Sequence, residues 1–192
     1  MHTKLSTLHI ILASKSPRRQ QLLKDIGVDF EIRLKEVDEV YPSELKGKEV
    51  ALFLSELKAK AFRNDLQTNE ILLTSDTIVC LGEKILGKPT NKQHAIAMLG
   101  ELSGKKHEVI TAVTLTSVSK QHSFAVSTEV YFKPLTIEEI TYYIDNYKPY
   151  DKAGSYGIQE WIGYIGIEKI VGSYFNVMGL PVKEVYEELI KF

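Results

Sequence analysis

The run Glu70–Cys80 is strongly apolar, rich in β-forming residues and interrupted only by Ser75-Asp76-Thr77. Such a run predicts a central strand of a sheet. An acid inside an apolar strand is costly unless it is paired, hydrogen-bonded or bound to a metal. Asp76 is therefore expected where the strand faces a site, as a ligand of a divalent metal or as a general base. The structural alternative is an aspartate that caps a turn or pairs with a lysine.

Strand and helix patterns alternate along the rest of the chain. Alternating or continuous apolar residues predict strands over His9–Ala13, Phe30–Leu34, Lys84–Leu86, His107–Ser117, Ser123–Phe132 and Trp161–Ile170. Helical spacing and capping residues predict helices over Pro17–Ile26, Glu49–Arg63, Asn91–Leu102, Thr136–Asn146 and Val182–Ile190. Gly82-Glu83 is typical of a hairpin turn. The pattern predicts an α/β fold with a mixed sheet and flanking helices.

Length and charge narrow the class of protein. A chain of 192 residues suits one domain, here 1–192, or two small lobes that share a sheet. The net charge of -1 argues against a nucleic-acid partner. Met1–Thr7 is short and polar, no apolar run is long enough to span a membrane, and Cys80 is the only cysteine. We therefore expect a cytoplasmic protein without a membrane partner.

The turn Ser14–Arg19 joins the first strand to the first helix. Ser16 is a good N-cap residue, and Pro17 suits the first helical position. Exposed N–H groups and the helix dipole attract anions at such a turn, and an arginine fork matches phosphate oxygens. The turn predicts a phosphate cradle, and the alternative is an ordinary capped helix start with two solvated arginines.

Three further segments combine glycine with polar residues. Gly87-Lys88-Pro89 would hold an ammonium on a rigid turn, although such turns are common on surfaces. Asp151–Gln159 brackets Ser-Tyr with glycines and ends in an amide able to read a base edge. Gly172–Pro181 lines a pocket or simply packs before the last helix.

In this order, the segments resemble the Maf family. The resemblance rests on Ser14–Arg19, Ser75–Val79, Gly87–Pro89, Leu102–Gly104, Asp151–Gly154, Gly157–Gln159 and Gly179–Pro181, and it covers nearly the whole chain. It implies a mixed twisted sheet with two lobes around a cleft, related to the inosine triphosphate pyrophosphatases. It also implies a homodimer.

The resemblance implies hydrolysis of a nucleoside triphosphate between its α- and β-phosphates, with Mg²⁺ or Mn²⁺ required. Asp76 matches the family's essential aspartate, as metal ligand, as activator of the attacking water, or as both. Glu39 matches an acidic metal-binding position, with Glu36 and Asp38 as neighbouring alternatives. The remaining matches are the phosphate-contacting Ser14 and Arg18 and the cationic Lys58 and Lys88, with Lys60 as the nearest alternative to Lys58.

The substrate is expected to be dTTP or UTP, together with modified pyrimidine triphosphates. In the family, Asp-Thr at the central strand marks the branch that acts on dTTP and UTP, so Thr77 and Gln159 are assigned to base recognition. Glu160-Trp161 departs from the glycine that the family commonly has after this glutamine, and Trp161 is expected to pack rather than stack on a base. The alternatives are a 7-methyl-GTP pyrophosphatase and a noncatalytic nucleotide-binding regulator of cell division.

Overall fold

The computed structural model describes residues 8–192, so the predictions for Met1–Thr7 lie outside the described residues. Its strands are β1 (His9–Leu12), β2 (Phe30–Ile32), β3 (Glu70–Leu81), β4 (Lys84–Leu86), β5 (Lys106–Thr116), β6 (Gln121–Phe132) and β7 (Ile167–Val171). Its α-helices are α1 (Pro17–Asp25), α2 (Lys48–Lys60), α3 (Lys92–Leu102), α4 (Ile137–Tyr147), α5 (Trp161–Gly166), α6 (Tyr174–Met178) and α7 (Val182–Lys191). No helix within residues 8–192 is long and apolar enough to cross a membrane.

The strands form one seven-stranded sheet, which confirms the predicted mixed α/β fold. Its order is β2-β1-β3-β5-β6-β7, and β4 pairs with β3 outside this path. Strand β1 is parallel to both neighbours, with Ile11 opposite Glu31 on β2 and opposite Leu72 on β3. The β3–β4 and β6–β7 pairs are antiparallel. The predicted hairpin is confirmed, because Gly82 takes a φ of 60° in the tight turn between β3 and β4.

Two helix starts follow the local sequence signals. The Ser16 side chain accepts the backbone N–H of Arg19, and Pro17 opens α1. Thr136 and Glu139 form the predicted capping box of α4, in which each side chain binds the backbone N–H of the other residue. These capping bonds satisfy donors that the first turn of a helix leaves without partners, so local sequence defines both helix starts.

The predicted strand over Trp161–Ile170 is wrong in its first half, which forms helix α5. The backbone N–H of Gly163 donates to the carbonyl of Glu160 at 2.8 Å, and this bond begins the helical turn. A Cβ at Gly163 would lie 1.8 Å from the carbonyl oxygen of Ile158, so this approach requires glycine. Close packing therefore overrides the apolar alternation, and only Ile167–Val171 pairs as a strand.

The chain divides into two compact units. The first comprises the described part of Met1–Asp76 together with Thr111–Val126 and Gly179–Phe192, and the second comprises Thr77–Ile110 and Ser127–Met178. Within the first unit, Ala59 of α2 and Phe62 of the turn that follows it pack against Ile11 and Leu72 of the sheet. Within the second, a larger core forms around buried residues of the strands, of α3, α4 and α5, and of the loop before α5: Val79, Leu86, Leu99, Leu102, Val109, Val130, Phe132, Tyr143, Ile144, Tyr156 and Ile162.

Candidate functional site

A lysine between two carboxylates forms the centre of the candidate site in the first unit. Lys58, in the last turn of α2, places its Nζ 2.5 Å from Oδ1 of Asp76 and 2.9 Å from Oε1 of Glu39. The side chains of Lys58 and Asp76 are only 15% and 11% exposed, whereas that of Glu39 is 46% exposed. Three predicted site residues therefore meet at one ammonium group. Lys60, the alternative to Lys58, is exposed.

Strand β3 runs without a break through the segment that was expected to interrupt it. Asp76 is therefore a carboxylate within a buried strand, with only 8% of the residue exposed. Burying such a charge is tolerable only when a partner compensates it, and the Lys58 ammonium is that partner. The turn-capping alternative for Asp76 is wrong, because no turn occurs here, whereas the expected pairing with a lysine is observed.

A hydroxyl cluster fastens α2 to the sheet next to this centre; its members are Ser55, Thr74, Thr114 and Ser123. Ser55 Oγ and Thr114 Oγ1 are 2.8 Å apart, and Thr74 Oγ1 donates to the carbonyl of Ser55 at 2.8 Å. Ser55 lies one helical turn before Lys58, and Thr74 lies two strand residues before Asp76, so each pair shares a face. The cluster thus sets the register that places Lys58 against Asp76.

The Ser14–Arg19 turn is held by its own hydroxyls and by one arginine. Ser14 Oγ accepts the backbone N–H of Ser16 at 3.2 Å, and Ser14 itself is buried. Arg19 donates from Nε to the carbonyl of Gly179 at 2.8 Å and from Nη1 to the carbonyl of Ser75 at 2.9 Å. Arg19 therefore has a structural role, because it ties the turn to β3 next to Asp76.

The turn and the carboxylates also interact electrostatically. Burial lowers the pKa of the Arg19 guanidinium, and the charge of Asp76 is the largest effect that opposes this. Arg18 lowers the pKa of Arg19 further, whereas Glu39 raises it. These interactions require Arg18, Asp76 and Glu39 to lie within electrostatic reach of the same guanidinium. The first unit therefore collects cationic groups around its two carboxylates.

The second unit contains the remaining predicted site residues, which are Thr77, Lys88 and Gln159. Two motifs that are far apart in sequence meet there, because the backbone N–H of Gly154 donates to the carbonyl of Gly87 at 3.1 Å. Gly154 has a φ of 68°, and a Cβ there would lie 3.0 Å from methyl groups of Val79. Lys88 is exposed beside this contact, and Thr77 is half-buried on β3.

Gln159 lies in a closed turn with one polar atom left without a partner. The backbone N–H of Glu160 donates to the carbonyl of Gly157 at 3.0 Å and closes the turn. Within residues 8–192, Oε1 of Gln159 is buried and has no hydrogen-bond partner. Buried side-chain oxygens nearly always have a partner in folded proteins. The Gln159 oxygen is therefore a candidate acceptor for a ligand.

The family model described as Maf-like protein matches residues 9–192. This chain belongs to the Maf family. It is 57% identical over 189 residues to a dTTP/UTP pyrophosphatase of Flavobacterium johnsoniae, covering 97% of this chain and 96% of that protein. It is 53% identical to a dTTP/UTP pyrophosphatase of Phocaeicola vulgatus over the full length of both chains. The Ham1 protein of Staphylococcus aureus is more distant, with 16% identity, a TM-score of 0.43 and coverage of 65% of this chain and 71% of that one.

Two carboxylates of this Maf-family chain suit a hard divalent cation. No group of three or more histidine, cysteine, aspartate or glutamate residues within residues 8–192 could enclose a metal. Asp76 and Glu39 nevertheless direct oxygens at one cationic nitrogen. Mg²⁺ typically takes one or two carboxylates and completes its coordination with water and substrate phosphates. The donor set therefore fits Mg²⁺ or Mn²⁺, with Asp76 and Glu39 as the residues to hold it.

A buried polar network that the sequence did not predict lies beside Gln159. Lys152 is only 8% exposed, and its Nζ lies 3.1 Å from Oε1 of Glu160. The hydroxyl of Tyr143 donates to Oε2 of Glu160 and accepts the backbone N–H of Gly157 at 3.0 Å. One signal was available in the sequence, since Lys152 stands in a loop otherwise rich in small and apolar residues. Trp161 packs against the core and the ring of Tyr142.

Proposed function

We propose that this Maf-family protein is a pyrophosphatase that hydrolyses dTTP and UTP to the nucleoside monophosphate and pyrophosphate. The observation that carries the proposal is the Lys58 ammonium between the carboxylates of Asp76 and Glu39. A protein that only binds nucleotides gains nothing from a charged carboxylate buried in a central strand. The names of two full-length relatives, at 57% and 53% identity, support the substrate.

In the proposed reaction, a water oxygen bonds to the α-phosphorus as the bond from that phosphorus to the α,β-bridging oxygen breaks. Pyrophosphate leaves with the bridging oxygen, and the Asp76 carboxylate takes a proton from the water. Arg18 and Ser14 are proposed to bind phosphate oxygens, and Lys58 and Lys88 to stabilise the charge that develops on pyrophosphate. Asp76 and Glu39 would hold a Mg²⁺ or Mn²⁺ ion, which would supply further positive charge next to the phosphate oxygens.

Base recognition is proposed for Thr77 and Gln159. Uracil and thymine carry an N–H donor at N3, whereas cytosine has no proton there. The buried Oε1 of Gln159 is an acceptor without a partner within residues 8–192, and it matches that donor. A site built to hydrogen-bond one such group rejects analogues that leave its polar atoms unpaired. The acceptor therefore supports dTTP and UTP over CTP.

The experiment measures pyrophosphate release from dTTP, UTP, CTP and 7-methyl-GTP with Mg²⁺ or Mn²⁺. We expect kcat to fall at least about 100-fold in Asp76→Asn, which removes the group that takes the proton from water, and in Lys58→Met, which removes positive charge that stabilises pyrophosphate. Lys60→Met is the matched control on the exposed face of α2 and should keep wild-type activity. Strong preference for 7-methyl-GTP would reject the pyrimidine substrates, and no release from any nucleotide would favour the noncatalytic regulator.

The proposal extends to a cytoplasmic homodimer. Cys80 is buried, and burial raises the pKa of its thiol to about 11, which suits a thiol that stays reduced. Sedimentation equilibrium checks the oligomer, since one chain has a mass of 21.8 kDa. A single species of that mass at micromolar concentration would contradict the dimer.

A further inference from the structure

The side chain of Glu160 belongs to a buried polar network and does not cap the helix that it precedes. Glu160 is the N-cap residue of α5, yet its side chain makes no capping hydrogen bond. The carboxylate is instead shared between Lys152 Nζ at 3.1 Å and the hydroxyl of Tyr143. Tyr143 is completely buried, and burial raises the pKa of its hydroxyl, so it remains a neutral donor. We call Lys152, Glu160 and Tyr143 the Glu160 network.

The Glu160 network encloses the turn that carries Gln159. The hydroxyl of Tyr143 accepts the backbone N–H of Gly157 at 3.0 Å, at the first residue of this turn. A Cβ at Gly157 would lie 2.8 Å from the carboxyl carbon of Glu160, so the carboxylate lies directly over that glycine. At the other end, the N–H of Gly163 holds the carbonyl of Glu160 at 2.8 Å. Both ends of the turn are therefore fixed, and Gln159 lies between them.

Stability alone is a poor reason for this arrangement. A buried ion pair often contributes less to stability than apolar side chains of the same volume, because both charges must lose their water. A site that distinguishes N3–H of uracil from N3 of cytosine must present its acceptor at one fixed position. The Glu160 network holds the backbone at both ends of the turn, and the position of the Gln159 side chain depends on that backbone.

We propose that Glu160 is a positioning residue which, through Lys152 and Tyr143, fixes the Gln159 turn and so sets the preference for uracil and thymine over cytosine. The inference rests on the proposed function. It assigns a role to the residue at which this chain departs from the glycine expected after Gln159. Glu160 acts through Gln159 and does not itself contact the nucleotide.

The test compares Glu160→Gln and Tyr143→Phe with the wild type, using kcat and KM for UTP and CTP. Both variants keep the shape of the side chain: Glu160→Gln removes the charge that faces Lys152, and Tyr143→Phe removes the hydroxyl that joins Glu160 to the Gly157 N–H. We expect KM for UTP to rise about tenfold while kcat stays within about twofold. The ratio of kcat/KM for UTP to that for CTP should fall about tenfold, which corresponds to about 1.4 kcal/mol.

The matched control is Tyr142→Phe, which removes an exposed hydroxyl one residue away on the same helix and should leave the ratio unchanged. Thermal unfolding of each variant shows that the assays are made on folded protein, and either Glu160→Gln or Tyr143→Phe suffices. An unchanged UTP-to-CTP ratio in a folded variant overturns this inference and leaves the proposed function intact. A wild type that cleaves neither UTP nor dTTP overturns the proposed function, and this inference falls with it.

Discussion

Acid is expected to destabilise the protein through one buried histidine. His107 on β5 is 2% exposed, and its Nε2 lies 2.7 Å from the hydroxyl of Tyr156. Its ring meets the edge of Phe132 with ring centroids 5.1 Å apart, and its Nδ1 has no hydrogen-bond partner within residues 8–192. Burial lowers the pKa of His107 from 6.5 to about 4. The folded protein therefore requires a neutral imidazole at this position.

The sign and size of the effect follow from proton linkage. The unfolded chain binds a proton at His107 below about pH 6.5, whereas the folded chain resists it until about pH 4. The free energy of unfolding therefore falls as the pH is lowered through this window and levels off below it. The loss is about 2 kcal/mol between pH 7 and pH 5, and about 3 kcal/mol by pH 4.

The assay is urea unfolding followed by circular dichroism at pH 7 and at pH 5. His107→Gln removes the titrating group, so its loss of stability between the two pH values should be about 2 kcal/mol smaller than that of the wild type. His94→Gln, at an exposed histidine on α3, is the control and should keep the wild-type pH dependence. Equal pH dependence in the wild type and His107→Gln would refute the argument.

Two further predictions each compare a pair of variants. Arg19→Met should lower the free energy of unfolding by about 3 kcal/mol, because it removes two charged hydrogen bonds to backbone carbonyls. Arg18→Met should instead raise KM for dTTP at least about tenfold. Urea unfolding measures the stability of both variants, and pyrophosphate release measures their KM. Equal effects of the two substitutions would contradict these roles. Gly154→Ala should destabilise by about 1 to 3 kcal/mol, because its φ is 68°. Gly100→Ala, in open space on α3, should stabilise by about 0.5 to 1 kcal/mol in the same urea assay, and a gain at Gly154 would refute the strain.

The sequence predicts most elements because their signals are local. Ser16 with Pro17 and Thr136 with Glu139 mark helix starts by contacts within four residues. The apolar run around Asp76 identifies a central strand, and the cost of a buried charge directs attention to that residue. These arguments need no knowledge of distant neighbours, which is why the structure agrees with them.

Contacts between residues that are distant in sequence could not be predicted from such local signals. Arg33 holds Glu70 by two hydrogen bonds of 3.0 and 2.8 Å, and these bonds lower the pKa of Glu70 to about 2. The two residues are 37 positions apart, and no local pattern links them. Helix α5 was not predicted because it depends on packing: Gly163 approaches the Ile158 carbonyl closely, and the local apolar pattern does not indicate this approach. The contact between Glu160 and Tyr143 likewise joins residues 17 positions apart, which no local pattern links.

The hydroxyl cluster has a consequence for building chimeras between Maf-family proteins. A step of three residues in α2, from Ser55 to Lys58, is matched to a step of two residues in β3, from Thr74 to Asp76. If α2 alone were grafted, Lys58 would be transferred without Thr74, whose hydrogen bond to Ser55 positions the helix against β3. The smallest exchangeable piece is therefore a pair of segments, one from each element, transferred together.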